Sequence, residues 1–74
     1  MSPFVETLAV YERKPRNLSY HQARFDRTRR ENYPYPLPPV SLEEAIAQRA
    51  AELPETLVKF RILYAEGIEH IEWT

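Results

Sequence analysis

His21, Arg24, Phe25 and Thr28 fall three and four residues apart in a stretch free of proline and glycine, so on a helix they share one face. Arginine carries five donors in a planar fork, which meets a phosphate or carboxylate with two bonds at once. Phe25 is the only large apolar residue of this stretch beyond its first turn. A helix that packs through Phe25 carries Arg24 and His21 towards the interior with it, and a buried arginine needs an anion. That anion could be an internal carboxylate such as Glu6, which makes the pairing structural, or the phosphate or carboxylate of a ligand, which makes it functional. Residue types leave both open. Ser19, two residues before His21 at a helix start, suits capping rather than nucleophilic catalysis, and no third member of a triad is evident. Two histidines as far apart as His21 and His70 make no metal cluster. No residue is assigned as catalytic.

The elements that must position these residues are legible in order. Phe4 to Glu12 is rich in β-formers, with Phe4, Leu8 and Val10 on one face and Val5, Thr7, Ala9 and Tyr11 on the other; both faces are largely apolar, which predicts a buried strand. Residues 13–17 are polar, contain Pro15 and suit a turn or loop that brings the chain back. Ser19 is the expected N-cap of a helix over Tyr20 to Glu31. Tyr33 to Val40 places four prolines in eight residues, an extended and stiff linker. Ser41 and Glu44 form a capping box that opens a helix over Leu42 to Leu53, ended by Pro54. Thr56 to Tyr64 reads as a strand, and Ala65-Glu66-Gly67 connects it tightly to a second strand, Ile68 to Trp73. The sum is one α+β domain or part of one over residues 1–74, a small antiparallel sheet with two helices.

A chain of 74 residues without cysteine has a marginal core of its own. The lack of cysteine fits a reducing cytoplasm, and no apolar run is long enough for a membrane span. Charge is unevenly placed: residues 1–31 hold seven Lys/Arg against four Asp/Glu, and residues 32–74 hold three against seven. A basic half suits nucleic acid, a phosphate-bearing ligand or its own acidic half. The sheet stops at Trp73-Thr74, so an unpaired edge and an uncovered apolar face are expected, to be met by more chain or a partner copy.

The run Phe4-Val5-Glu6-Thr7-Leu8, followed by a strand, a turn and Tyr20-His21-Gln22-Ala23-Arg24-Phe25, resembles the "F-E-T-I … H-x-x-R-L" stretch near the front of the class IV aminotransferases. These are the fold-type IV pyridoxal-phosphate enzymes, which include branched-chain aminotransferases, D-amino-acid transaminases and 4-amino-4-deoxychorismate lyases. Residues 57–64 with their hairpin resemble the strand pair that follows in the same small domain. The resemblance spans nearly the whole chain. It implies that Arg24 binds the phosphate of pyridoxal phosphate, that His21 opens the same motif, that Arg61 receives a substrate carboxylate, and that Glu6 is structural. Because only Met1-Ser2-Pro3 precedes the "F-E-T" strand, the subgroup implied is the aminodeoxychorismate lyases.

Full-length members of the family also carry a downstream lysine that forms the Schiff base with the cofactor, a glutamate at the pyridine nitrogen and a second phosphate-binding segment. None of these maps here. Lys14 falls in a turn and Lys59 in a strand, outside the family's lysine context. The resemblance therefore implies part of the N-terminal domain of a lyase or aminotransferase, truncated, inactive alone, holding no cofactor by itself, and self-associating as a dimer or completed by a missing C-terminal domain. The alternative is a small nucleic-acid-binding or protein-interaction module, which would use Arg24, Arg27, Arg29 and Arg30 of the basic helix 20–31 with Tyr33 and Tyr35 of segment 33–40. A sequence pI of about 6.1 and the acidic second half weigh against nucleic acid.

Overall fold

The computed structural model describes residues 3–74. Strand β1 (Phe4–Tyr11) is followed by the two-residue strand β2 (Lys14–Pro15), helix α1 (Leu18–Asn32), helix α2 (Leu42–Ala47), a 3₁₀ turn (Ala50–Glu52), and strands β3 (Val58–Tyr64) and β4 (Ile68–Trp73). The strands form one antiparallel sheet in the order β2-β1-β3-β4, so the α+β expectation holds.

Period-two alternation decides which sheet face is covered. Glu6, Leu8 and Val10 of β1 are buried and pair across the sheet with Ile62, Phe60 and Val58 of β3, which are buried too. Phe25 of α1, Leu42 and Ile46 of α2, and Leu53 close this face into one core, with Ile68, Ile71 and Trp73 of β4 packed at its side. Fully burying a side chain of this size contributes about 1.5–3 kcal/mol relative to leaving it in water, which explains why one stripe per element suffices to fix the layers.

The expectation of a strand buried on both faces is corrected: Val5, Thr7, Ala9 and Tyr11 face outwards and are exposed, together with Leu57. Both helices pack on the other face, and period two cannot say how many layers a sheet will receive. The polar stretch after β1 turns back as expected, through a two-residue hairpin in which Glu12 and Arg13 have φ of 53° and 63°. Two left-handed residues make a type I′ turn, normally filled by Asn and Gly. Here the Glu12 amide donates to the Glu55 carbonyl at 3.0 Å and Arg13 Nε to the Leu53 carbonyl at 2.9 Å, tying the turn to the segment before β3.

Two helix boundaries also differ. Asn17, in the left-handed conformation at φ 53°, stands at the N-cap of α1 in place of Ser19, and its side chain makes no capping bond. The helix expected over residues 42–53 ends at Ala47 and is followed by the 3₁₀ turn, with Leu53 still buried in the core beside Leu42 and Ile46. Its start is as expected, with Ser41 Oγ accepting from the Glu44 amide at 3.1 Å. No helix is long and apolar enough to cross a membrane among the described residues.

Candidate functional site

Glu6 occupies a core-facing position of β1 and is 1% exposed. A carboxylate there needs partners for both oxygens, and α1 supplies them from one turn. His21 Nδ1 donates to Glu6 Oε1 at 2.8 Å, and Arg24 Nε donates to Glu6 Oε2 at 3.2 Å. The spacing of three residues brings both donors over a single strand position. Among the described residues no buried side-chain polar atom is left without a partner. A bond from Nδ1 to a carboxylate oxygen is donated by the proton on Nδ1.

Arg24 departs from the expected burial. Its side chain is 44% exposed, against 13% for His21, so the guanidinium is in part open to water while its Nε is held by Glu6. Nη1 lies 3.4 Å from the Tyr20 hydroxyl and the guanidinium carbon is 5.9 Å from the Tyr20 ring centre. The Tyr20 hydroxyl first, and then the Glu6 carboxylate, hold Arg24 above its ordinary pKa, so it stays cationic at every working pH. With Nε on Glu6 and Nη1 near the Tyr20 hydroxyl, an incoming anion would meet the exposed part of the guanidinium.

The buried arginine is Arg29, one turn beyond Phe25 and 5% exposed. Its Nε and Nη2 donate to the Glu66 carbonyl at 2.8 and 2.6 Å, and Nη2 also donates to the Pro38 carbonyl at 2.9 Å. Its guanidinium lies 5.2 Å from the Phe25 ring centre. Tyr35 of the same linker donates to the Glu66 carboxylate, which raises the Tyr35 pKa, and the Tyr33 and Tyr35 rings lie tilted with centres 6.2 Å apart. Gln22 fixes the other end of the linker, donating to the Val40 carbonyl at 2.9 Å and accepting from the Leu42 amide at 2.8 Å. Segment 33–40 is thus bonded to α1 at Tyr33, Pro38 and Val40. The spacing Phe25 to Arg29 was the available signal for this role, since four residues return to the same helix face.

The structure brings His21 and Arg24 together and places Arg61 elsewhere. Arg61 pairs in register with Thr7, whose side chain lies on the outer face of the sheet, whereas Glu6 lies on the inner one. On that outer face Arg61 donates to Glu72 at 2.6 Å, with His70 Nε2 3.6 Å from the same carboxylate. Both lysines share this side: Lys59 pairs with Ala9 and Lys14 with Tyr11. A cleft of about 650 Å³ lies at the far end of α1 between Arg30 and the Tyr33–Leu37 segment, away from Arg24 and His21. No group of three or more His, Asp or Glu could hold a metal ion among the described residues.

No family model and no curated protein matches the chain. Among solved structures, it superposes on that of a "putative 4-amino-4-deoxychorismate lyase" from Haemophilus somnus 129PT with a TM-score of 0.88 and 28% sequence identity, over 100% of this chain and 40% of that one. Its fold is part of that lyase fold. The chain spans 40% of the length of the protein it matches, and every element from β1 to β4 falls within the superposed part. The nucleic-acid reading loses ground on geometry, because Arg29 is buried and Arg24, though exposed, is paired with Glu6, leaving Arg27 and Arg30 as the other exposed cations of the basic helix.

Proposed function

We propose that the chain is part of a pyridoxal-phosphate-dependent lyase or aminotransferase of the aminodeoxychorismate lyase type and supplies the arginine that holds the cofactor phosphate. The observation that carries the reading is the Arg24 side chain, 44% exposed while its Nε is fixed on a carboxylate 1% exposed. A phosphate needs a cation that is both reachable and held still. Arg24 would hold the phosphate, and His21 would support it through Glu6. Bound pyridoxal phosphate would supply an electron sink for bond cleavage at an amine-bearing carbon.

The same geometry argues that the chain alone is not a working enzyme. Neither Lys14 nor Lys59 shares the sheet face of Glu6, so neither lysine stands beside the phosphate anchor. Arg61 lies on that outer face as well, and would meet a substrate carboxylate only in a site completed by other chain. The exposed Val5, Tyr11 and Leu57 on this side suit cover by a further domain of the same protein or by a second copy, in the cytoplasm.

Two outcomes test this. Inorganic phosphate, followed through the arginine Nε–H signals in heteronuclear NMR, should move the Arg24 signal with a dissociation constant on the order of 10 mM, as suits one solvent-facing fork; Arg24→Ala should abolish the response at its neighbours Tyr20 and His21. A wild-type protein that shows no change at Arg24 would end the phosphate-anchor reading. Pyridoxal phosphate followed by borohydride should leave both lysines unmodified by mass spectrometry beyond the level of an unfolded control. Stoichiometric reduction onto one lysine would overturn the claim that the covalent anchor lies elsewhere.

A further inference from the structure

We infer that Glu6 is the positioning residue of the anion site, and that it works by holding Arg24 and His21 at the same time. This rests on the phosphate-anchor reading of Arg24. An arginine on an exposed helix face samples many rotamers, and fixing them on binding costs affinity. Glu6 removes much of that freedom beforehand, since its carboxylate is buried in β1 at 1% exposure and takes the Nε edge of the guanidinium at 3.2 Å. A bond at Nε orients the guanidinium and leaves its Nη groups, one of which reaches the Tyr20 hydroxyl, for a ligand.

His21 makes this arrangement possible. A carboxylate with one free oxygen could rotate towards the guanidinium and cover the Nη edge, competing with a ligand. The 2.8 Å bond from His21 Nδ1 to Oε1 fixes the plane of the carboxylate and leaves only Oε2 for Arg24. The groups around this cluster are Tyr20 and Arg24 of α1, Glu6 of β1 and the buried Tyr64 of β3, whose own pKa is raised by burial. Glu6, conspicuous as the one charged residue in the Phe4, Leu8, Val10 register, thus acts through Arg24 and touches no ligand.

The charge of Glu6 and its geometry make opposite forecasts, which gives the test its sign. If Glu6 merely neutralises Arg24, Glu6→Gln frees a cation and phosphate binds more tightly. If Glu6 positions Arg24, Glu6→Gln loses one of two ordered bonds, and inorganic phosphate should bind roughly threefold to tenfold more weakly, the scale of one hydrogen bond to a charged group. The amide spectrum reports whether the variant remains folded. Should it unfold, Glu6→Asp retains the charge, shortens the reach by one methylene and is expected to weaken binding about threefold. The wild-type protein gives a check that needs no variant: Arg24 Nε–H should exchange with solvent at least several-fold more slowly than that of the exposed Arg27. Phosphate affinity equal to or above wild type in the variants, or equal exchange at Arg24 and Arg27, overturns the positioning role while leaving Arg24 as an anchor. A wild-type protein that does not bind phosphate at Arg24 overturns both.

Discussion

Phe25→Ala should leave the chain without a cooperative unfolding transition at 25 °C. Phe25 is fully buried, lies 4.3 Å from the Tyr64 ring between centres, and is the apolar anchor by which α1 meets the sheet. Truncation of a buried phenylalanine costs about 3–5 kcal/mol through lost transfer energy and the cavity left behind. A single core in a chain this small supplies roughly 3–5 kcal/mol of net stability, so the loss is comparable with the whole. Urea titration followed by far-ultraviolet circular dichroism decides the matter. Phe25→Leu should retain a transition, lowered by about 1–2 kcal/mol, because most of the volume remains. A cooperative Phe25→Ala protein with nearly wild-type midpoint would mean that Leu42, Ile46 and Leu53 hold the layers without α1.

Arg29→Met should destabilise by roughly 2–3 kcal/mol, far more than Arg27→Met, which should stay within about 0.5 kcal/mol of wild type. Methionine retains the apolar stem against Phe25 and removes the three bonds that tie α1 to the carbonyls of Pro38 and Glu66. The effect should be local as well as global. Hydrogen exchange at the Ala65 amide, which closes the hairpin by donating to the Gly67 carbonyl at 3.0 Å, should accelerate more than exchange in β1. Arg29→Lys should recover little, since one ammonium cannot reproduce a planar fork that bridges two carbonyls. Uniform acceleration across the sheet would show that Arg29 contributes bulk stability and no specific clamp.

These two arginines show how nearby sequence positions separate in space. Arg24 and Arg29 lie five residues apart on one helix; Arg24 has 44% of its side chain exposed, and Arg29 is bonded to the linker and the β3–β4 hairpin and buried. The one local difference is the four-residue spacing that puts Arg29 on the face of Phe25. Burial of Arg29 requires carbonyls from residues 9 and 37 positions away, and only the closed fold delivers these.

By itself, the sequence determined the strand alternation of β1 and β3, the proline-rich connection, the capping of α2 by Ser41 and the hairpin at its end, because each rests on contacts within a few residues. It also determined that His21 and Arg24 would share a helix face, with Glu6 among the candidate partners for Arg24. Tertiary structure alone decided that Glu6 takes both donors, that α1 and α2 pack on the same side of the sheet, and that Lys14 joins Lys59 and Arg61 on the other. The physical reason is parity. A strand alternates its side chains with a period of two, so moving the register of β1 against β3 by one residue would send Glu6 outwards and carry Thr7 to the inner face. That register is set by the Val10 to Val58 and Phe4 to Tyr64 pairings across more than forty residues of chain, a distance over which local propensity carries no information.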